Sequence, residues 1–398
     1  MPTLSQKVSA ISPSPTLTID ARAKELKSAG EDVIGFGAGE PDFDTPLHIR
    51  EAAKNAIDEG FTRYTPASGI PELKKAICEK LRKDNGLEFQ PGQIVVSNGA
   101  KHSLDNVFAA ILNKGDEVII PAPYWVSYPE LVKLNDGVPV ILETKKDNCY
   151  KARTDELEKA ITPRTKAFIL NSPNNPTGCV YTRDELEGIA HLALKHQFYI
   201  VSDEIYEKLI YGENEHVSIA SLSKEVQEQT IIVNGVSKSY AMTGWRIGYT
   251  ASSLPLANAM ANLQSHAASN PNSIAQKAAL AALNGPQDCV EEMRRTFTRR
   301  RDYMLNRLKS FPFISAVEPE GAFYLFIHVG KTFAKKFRGT LIGDGDNFAA
   351  LLLEHYRVAI VPGKGFGAPE YARFSYATSE EIIAAGLDRL ESFLRELT

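Results

Sequence analysis

The chain has 398 residues, 43% of them hydrophobic and 24% charged, and a formal net charge of −4. That balance describes a globular chain with a sizeable core, in one large or two intimate domains. The slight acidic excess argues against a general binder of nucleic acid or acidic membrane, which needs basic groups to neutralise phosphates.

The N-terminal stretch "MPTLSQKVSAISPSPTLTIDARAKEL" carries no apolar core of the signal-peptide kind. No apolar run approaches the roughly 18 residues that a membrane helix needs. The four cysteines, Cys78, Cys149, Cys179 and Cys289, form no CxxC pair and have no histidine cluster nearby. No zinc site, metal or disulfide framework is therefore expected, and a reduced cytoplasmic setting fits.

The first 40 or so residues have no strand pattern and are expected to pack against the C-terminal part. Thr45–Pro46 and Ile70–Pro71 read as helix starts with proline in the first turn. Then strand-like and helix-like segments alternate. "QIVVSNG" (93–99) reads as a strand, and "AKHSLDNVFAAILNKG" as the helix after it, with Gly115 just past its end. Further strands are expected at 116–121, 138–143, 165–171, 198–204, 229–235 and 245–251. Several are near-continuous apolar runs, as strands covered on both faces should be. Thr182 to Glu185 ("TRDE") is a capping box that opens a helix to about Lys195. The alternation predicts an α/β fold with a mostly parallel, seven-stranded sheet flanked by helices.

After about residue 285 the pattern changes. A long charged helix ("QDCVEEMRRTFTRRRDYMLNRLKSF") reads as a solvated face. The strands "AFYLFIHV", "RVAIVPG" and "YARFSYA" follow, then a closing helix from Ser379. This is the pattern of a separate, smaller α+β unit.

Several residues in the chain could carry chemistry, and each has a plain structural reading beside the functional one. Lys238, in "NGVSKSYAMTGWRIGY" (234–249), sits among small and hydroxyl-bearing residues. A desolvated lysine has a lowered pKa and can form a Schiff base, while an ordinary lysine is a surface residue. Asp203 closes an apolar strand in "SDEIYE". It could keep a ring nitrogen protonated, with Tyr206 donating to an oxygen of the same ring, or it could merely cap a turn. The strand–turn–helix junction "SNGAKHSL" could hold a phosphate at the helix N-terminus, with Arg246 as a clamp and Ser237 adding a hydroxyl. Equally, its glycine could only permit a turn. "NSPNNPTG" fixes Asn175 at another strand end, and "PAPYWVSYP" brings Trp125 to a third. Arg373, within a strand pattern, shares a face with Ser375; pointing inward, it would need an anion such as a planar carboxylate.

These stretches occur together and in order: "GAGEPDFDTP", "YTPASGIPELKKAI", "NGAKHSL", "PYWVSYPE", "NSPNNPTG", "SDEIYE", "SKSYAMTGWRIGY", "GAFYLF" and "RFSYATSEE". In them the chain resembles the pyridoxal-phosphate enzymes of the aspartate aminotransferase family (fold type I, class I and II aminotransferases), with features of a bacterial-type subgroup. The GxGxxG fingerprint of nicotinamide-binding folds is absent.

The resemblance implies a large cofactor-binding domain over 46–285 and a small domain made of 1–45 and 286–398. It implies that Lys238 forms the Schiff base with pyridoxal 5′-phosphate and then moves the substrate Cα proton. Asp203 would pair with the ring nitrogen, Tyr206 and Asn175 would bond the ring oxygen, and Trp125 would stack on the ring. Arg246, Ser237 and the groups around Gly99, Ala100 and Lys101 would hold the phosphate. Tyr64 would cross to the partner of a homodimer with shared active sites. Arg373 would grip the substrate α-carboxylate, with Gly39 contributing backbone close by and Asn175 and Trp125 also near the substrate.

Two departures follow from the same resemblance. Gly235 stands where some relatives place a phosphate-binding hydroxyl. Ser265 stands where better-known members place a partner-chain arginine for the distal carboxylate, which leaves Lys101 as the candidate for that work. Relatives that also take prephenate often carry a basic residue near position 12, and here it is Ser12. The activity implied is transfer of the amino group from L-aspartate to 2-oxoglutarate. The alternative is a class I aminotransferase of other or broader range (aromatic, alanine or prephenate/glutamate).

Overall fold

The computed structural model describes residues 3–9, 11 and 15–398; Ser12 lies outside the described residues. Its centre is a seven-stranded sheet. From edge to edge the strands are Ile94–Ser97, Gly248–Ala251, Thr230–Gly235, Tyr199–Asp203, Thr165–Asn171, Glu117–Ala122 and Val138–Glu143. Gly248–Ala251 runs antiparallel to both its neighbours, and the other pairings are parallel. Neighbouring residues of one strand serve opposite faces. Val233 packs with Val107, Phe108 and Met260, whereas Ile232 packs with Ile77, Leu81 and Ala279. Both faces are thus covered by helices, which explains the unbroken apolar runs in the sequence.

Register brings chemistry to one edge. Asn171 lies opposite Asp203, and Asp203 opposite Val233, at the C-terminal ends of adjacent parallel strands. Open α/β sheets bind their ligands at this edge.

A second, antiparallel sheet runs Val361–Pro362, Tyr371–Ser375, Tyr324–His328 and Ser315–Ala316. Helices Asp288–Leu308, Gly345–Tyr356 and Glu380–Arg395 cover it through a core that includes Phe297, Phe348, Leu352, Phe374 and Phe393. The capping box at Thr182 is present and opens the helix Arg183–His196. Among the described residues no helix is long and apolar enough to cross a membrane.

Five local expectations are corrected. The N-terminal segment does contain a strand, Ile34–Gly35, which pairs in parallel with Val358–Ala359; two residues are too few to leave a period. Its docking on the C-terminal part is as expected, with Phe36 fully buried against Phe374 at 5.6 Å between ring centroids. "RVAIVPG" forms two short strands, Val358–Ala359 and Val361–Pro362, that join different sheets. Pro46 precedes the helix Leu47–Asp58 instead of starting its first turn. The strand expected from Trp245 begins only at Gly248, because Arg246 takes a left-handed conformation, φ 56°. The charged helix is not solvated all round. Arg300 and Arg301 are buried, Arg300 forking onto Asp42 at 2.7 and 2.9 Å and Arg301 lying 5.0 Å over the Tyr211 ring.

Candidate active site

Between the C-terminal edge of the large sheet and the antiparallel sheet lies a cleft of about 540 Å³. Lys238 projects into it from the loop after Thr230–Gly235. Val236, Tyr240 and Met242 on either side are buried in the apolar layer, so the loop is anchored and the lysine is turned the other way. Its ammonium donates to the Gly39 carbonyl and lies 5.9 Å from the Tyr206 ring and 5.8 Å from the Phe323 ring. The amine opens to the cleft but is otherwise enclosed. Burial pushes its pKa from 10.5 down to about 8; Arg373 and Arg246 add to the effect, and Glu40 and Asp203 oppose it.

Asp203 ends its strand at 4% exposure. Oδ2 accepts the Tyr128 hydroxyl at 2.7 Å, and Oδ1 accepts the Ile205 N–H at 3.2 Å. Burial raises its pKa to about 6 even though both bonds lower it. A carboxylate kept from water in this way favours a cationic N–H brought against it.

Arg373 is 2% exposed, and its partners are neutral. One guanidinium nitrogen donates to Asn175 Oδ1 and the other to the Gly37 carbonyl, both at 2.9 Å. Its Nε is buried without a partner. The guanidinium lies 4.4 Å over the Tyr324 ring, and the Tyr324 hydroxyl is 2.9 Å from that of Tyr206. Asn175 is held in turn by its N–H on Asn171 Oδ1, at 2.9 Å. A planar carboxylate is the natural counter-ion for such an arginine.

The third corner is the start of the helix Ala100–Ile111, which has no side-chain cap. Gly99, at φ 86°, precedes it, and a Cβ added there would strike the Arg246 guanidinium. Arg246 donates to the carbonyls of Thr243 at 2.8 Å and Asn98 at 3.4 Å. An uncapped helix start, an arginine packed onto a glycine and the Ser237 hydroxyl make a donor set suited to a phosphate. Beside it the Lys101 ammonium lies 4.9 Å over the Trp125 ring, its pKa lowered by burial and by Arg246.

The cleft wall gathers Gly39, Ala100, Lys101, Trp125, Asn175, Asp203, Tyr206, Ser237, Lys238, Arg246 and Arg373, eleven of the thirteen site residues expected from sequence. Gly99 lies directly beneath Arg246. Tyr64 is not part of the wall and is 91% exposed. Ser265 is also outside it, bonded to the Asn262 carbonyl at 2.7 Å. Gly235 has a steric reason: a Cβ there would meet the Ile247 carbonyl at 2.8 Å and the Gly248 Cα at 2.9 Å. Sequence reading passed over Tyr128, Asn171, Tyr324 and Glu40, which hold or face the expected residues. The signal for Tyr128 was its place one turn beyond Trp125 in "PYWVSYPE". Tyr324 lies beside the twofold alternation of "AFYLF".

Residues 31–390 match the family model described as aminotransferase class I and II. The chain is 53% identical to an aspartate aminotransferase of Bacillus sp. (strain YM-2) over 98% of this chain and 99% of that one. Among solved structures, the aspartate aminotransferase from Rhizobium meliloti superposes with a TM-score of 0.96 at 43% identity, over 100% of both chains. That of Thermus thermophilus with maleate gives 0.93 at 45% identity, over 99% of this chain and 100% of the other.

Proposed function

The chain belongs to the class I and II aminotransferases, and on that footing we propose that it transfers the amino group of L-aspartate to 2-oxoglutarate, yielding oxaloacetate and L-glutamate. The observation that carries this reading is a lysine amine, lowered to about pKa 8, sharing one cleft with a buried carboxylate and a buried arginine whose hydrogen-bond partners are neutral.

The three corners suit pyridoxal 5′-phosphate, which would supply an aldehyde carbon that condenses with amines and a ring that withdraws electrons. Arg246, Ser237 and the backbone of Gly99, Ala100 and Lys101 bind the phosphate. Asp203, oriented by Tyr128, holds the proton on the ring nitrogen. Tyr206 and Asn175 would donate to the ring oxygen, and Trp125 would offer its face to the ring. Lys238 Nζ would be the amine presented to the aldehyde carbon and, as a free base, the group that takes the proton from the substrate Cα. Arg373 forks onto the α-carboxylate, Gly39 lies close by, and Lys101 receives the distal carboxylate.

Tyr64 exposes a hydroxyl-bearing ring and does not line its own cleft, which supports a homodimer in which it reaches the partner's phosphate. We read 46–285 as one domain and 1–45 with 286–398 as another, able to close over the cleft and exclude water during proton transfer. Four free cysteines support a cytoplasmic setting.

The test is direct. With pyridoxal phosphate, aspartate and 2-oxoglutarate, the protein should form glutamate and oxaloacetate in equal amounts. Loss of aspartate without glutamate would mean another reaction.

A further inference from the structure

The loop that carries Lys238 and Arg246 is strained. Two of its residues, Ala241 and Arg246, hold left-handed backbones at φ 50° and 56°. Neither is glycine, so each conformation costs energy and persists only where surrounding contacts impose it. Those contacts come from residues 39–45, far earlier in the chain.

Thr45 makes two of them. Its hydroxyl donates to the Ala241 carbonyl at 2.7 Å and accepts the Trp245 indole N–H at 2.9 Å. One side chain thus bonds one left-handed residue directly and the immediate neighbour of the other. From the same segment the Gly39 carbonyl accepts the Lys238 ammonium, and Glu40 Oε2 accepts the Thr243 hydroxyl at 2.6 Å. The Thr243 carbonyl in turn accepts Arg246 at 2.8 Å.

The segment is anchored on its other side as well. Asp42 takes the Arg300 fork at 2.7 and 2.9 Å, and Phe43 meets Phe297 edge-on at 5.5 Å. Both partners lie on the helix Asp288–Leu308. The Thr45 hydroxyl does not cap the helix that follows it: Leu47–Asp58 begins after Pro46 with no side-chain cap. The hydroxyl serves the loop instead.

We propose that Thr45 is a positioning residue: by bridging Ala241 and Trp245 it holds the loop 238–246 in the form that aims Lys238 and Arg246 into one cleft. The proposal rests on the pyridoxal-phosphate reading above, because Thr45 acts through those two residues. Without the hydroxyl, the Ala241 carbonyl and the Trp245 N–H lose their common partner. The loop then relaxes towards ordinary backbone angles, Arg246 shifts off Gly99, and a phosphate there loses its clamp.

The experiment uses Thr45→Val, which keeps the branched shape and removes the hydroxyl, and Thr45→Ser, which keeps the hydroxyl. The full-length apoprotein is titrated with inorganic phosphate, which reads Arg246, and with pyridoxal 5′-phosphate, which reads Arg246 and Lys238 together. In Thr45→Val both affinities should fall about fivefold to twentyfold; in Thr45→Ser both should stay within about twofold of the unsubstituted protein. Trp245→Phe removes one of the two bonds and keeps a ring in the apolar layer, so it should lose about twofold to fivefold and decides the matter if Thr45→Val does not fold. Unchanged phosphate affinity in the folded variants, or an equal loss in Thr45→Ser, would overturn the proposal. If the unsubstituted protein binds inorganic phosphate but no pyridoxal 5′-phosphate, the cofactor reading falls, and the phosphate titration still decides whether Thr45 sets Arg246. If it binds neither, both fall.

Discussion

The Tyr128 hydroxyl donates to Oδ2 of Asp203 across 2.7 Å, tying the helix Ser127–Leu134 to the end of the strand Tyr199–Asp203. Trp125 lies just before that helix and meets the Tyr128 ring edge-on at 5.3 Å. One tyrosine thus fixes both the proposed ring-nitrogen partner and the proposed stacking surface.

Tyr128→Phe removes a donor to a buried charged acceptor, a loss of about 1.5–3 kcal/mol, or roughly 10- to 100-fold in affinity. Cofactor affinity should fall by about the lower of these factors, because Asp203 keeps its bond from Ile205. The sign for pH is also set. Burial raises the Asp203 pKa to about 6, so the cost of its charge is present above pH 6 and absent below its ordinary value of 3.8. Without Tyr128 the pKa rises further, and cofactor binding should weaken at a higher pH on the acid side. An equilibrium titration from pH 5 to 8 reads both effects; unchanged affinity and profile would free Asp203 of this role.

Arg373→Lys keeps the charge but loses the fork that spans Asn175 and Gly37. kcat/KM for aspartate should drop by about tenfold or more, the cost of hydrogen bonds to a charged group that a point charge cannot make. Arg373→Ala should be at least as poor, and added guanidinium should restore part of the activity. Steady-state kinetics with and without guanidinium make the check. A loss under tenfold in both variants would place the carboxylate elsewhere.

Much of this site could be read from residues, and the exceptions have physical causes. Asp203 ends one apolar strand, and Asn175 and Lys238 lie in the loops that follow two others, so their places could be read although each alone allowed a plain structural role. The strand Thr165–Asn171 has the bounds that its apolar run suggests. Tyr128 carried only its spacing from Trp125 and Tyr324 carried no signal of its own, because a buried tyrosine and a functional one look alike until a partner oxygen is located. The burial of Arg300 and Arg301 within that charged helix was not legible, because charge pattern along a helix does not reveal that Asp42, far away in sequence, will meet one of them. The late start of the strand at Gly248 comes from Arg246 turning back towards Gly99, a contact across the fold that local propensity does not contain.

The Lys238 amine offers a test on cofactor-free protein. The folded state releases its proton near pH 8 and the unfolded chain near 10.5, so burial costs stability below 8, and that cost fades as pH rises to 10.5. Lys238→Met should therefore melt higher than the unsubstituted apoprotein at pH 7 and lose that advantage by about pH 10.5. Calorimetry at the two pH values reads the difference. A melting gap that does not change with pH would mean the amine is not desolvated.

The central claim is that this one amine, set between Asp203 and Arg373, bonds the cofactor. The most direct measurement is mass spectrometry of peptides after the holoprotein is reduced with borohydride and digested. The account predicts one pyridoxyl adduct per chain, on Lys238. An adduct on Lys101 or another lysine, with the peptide around 238 unmodified, would contradict it.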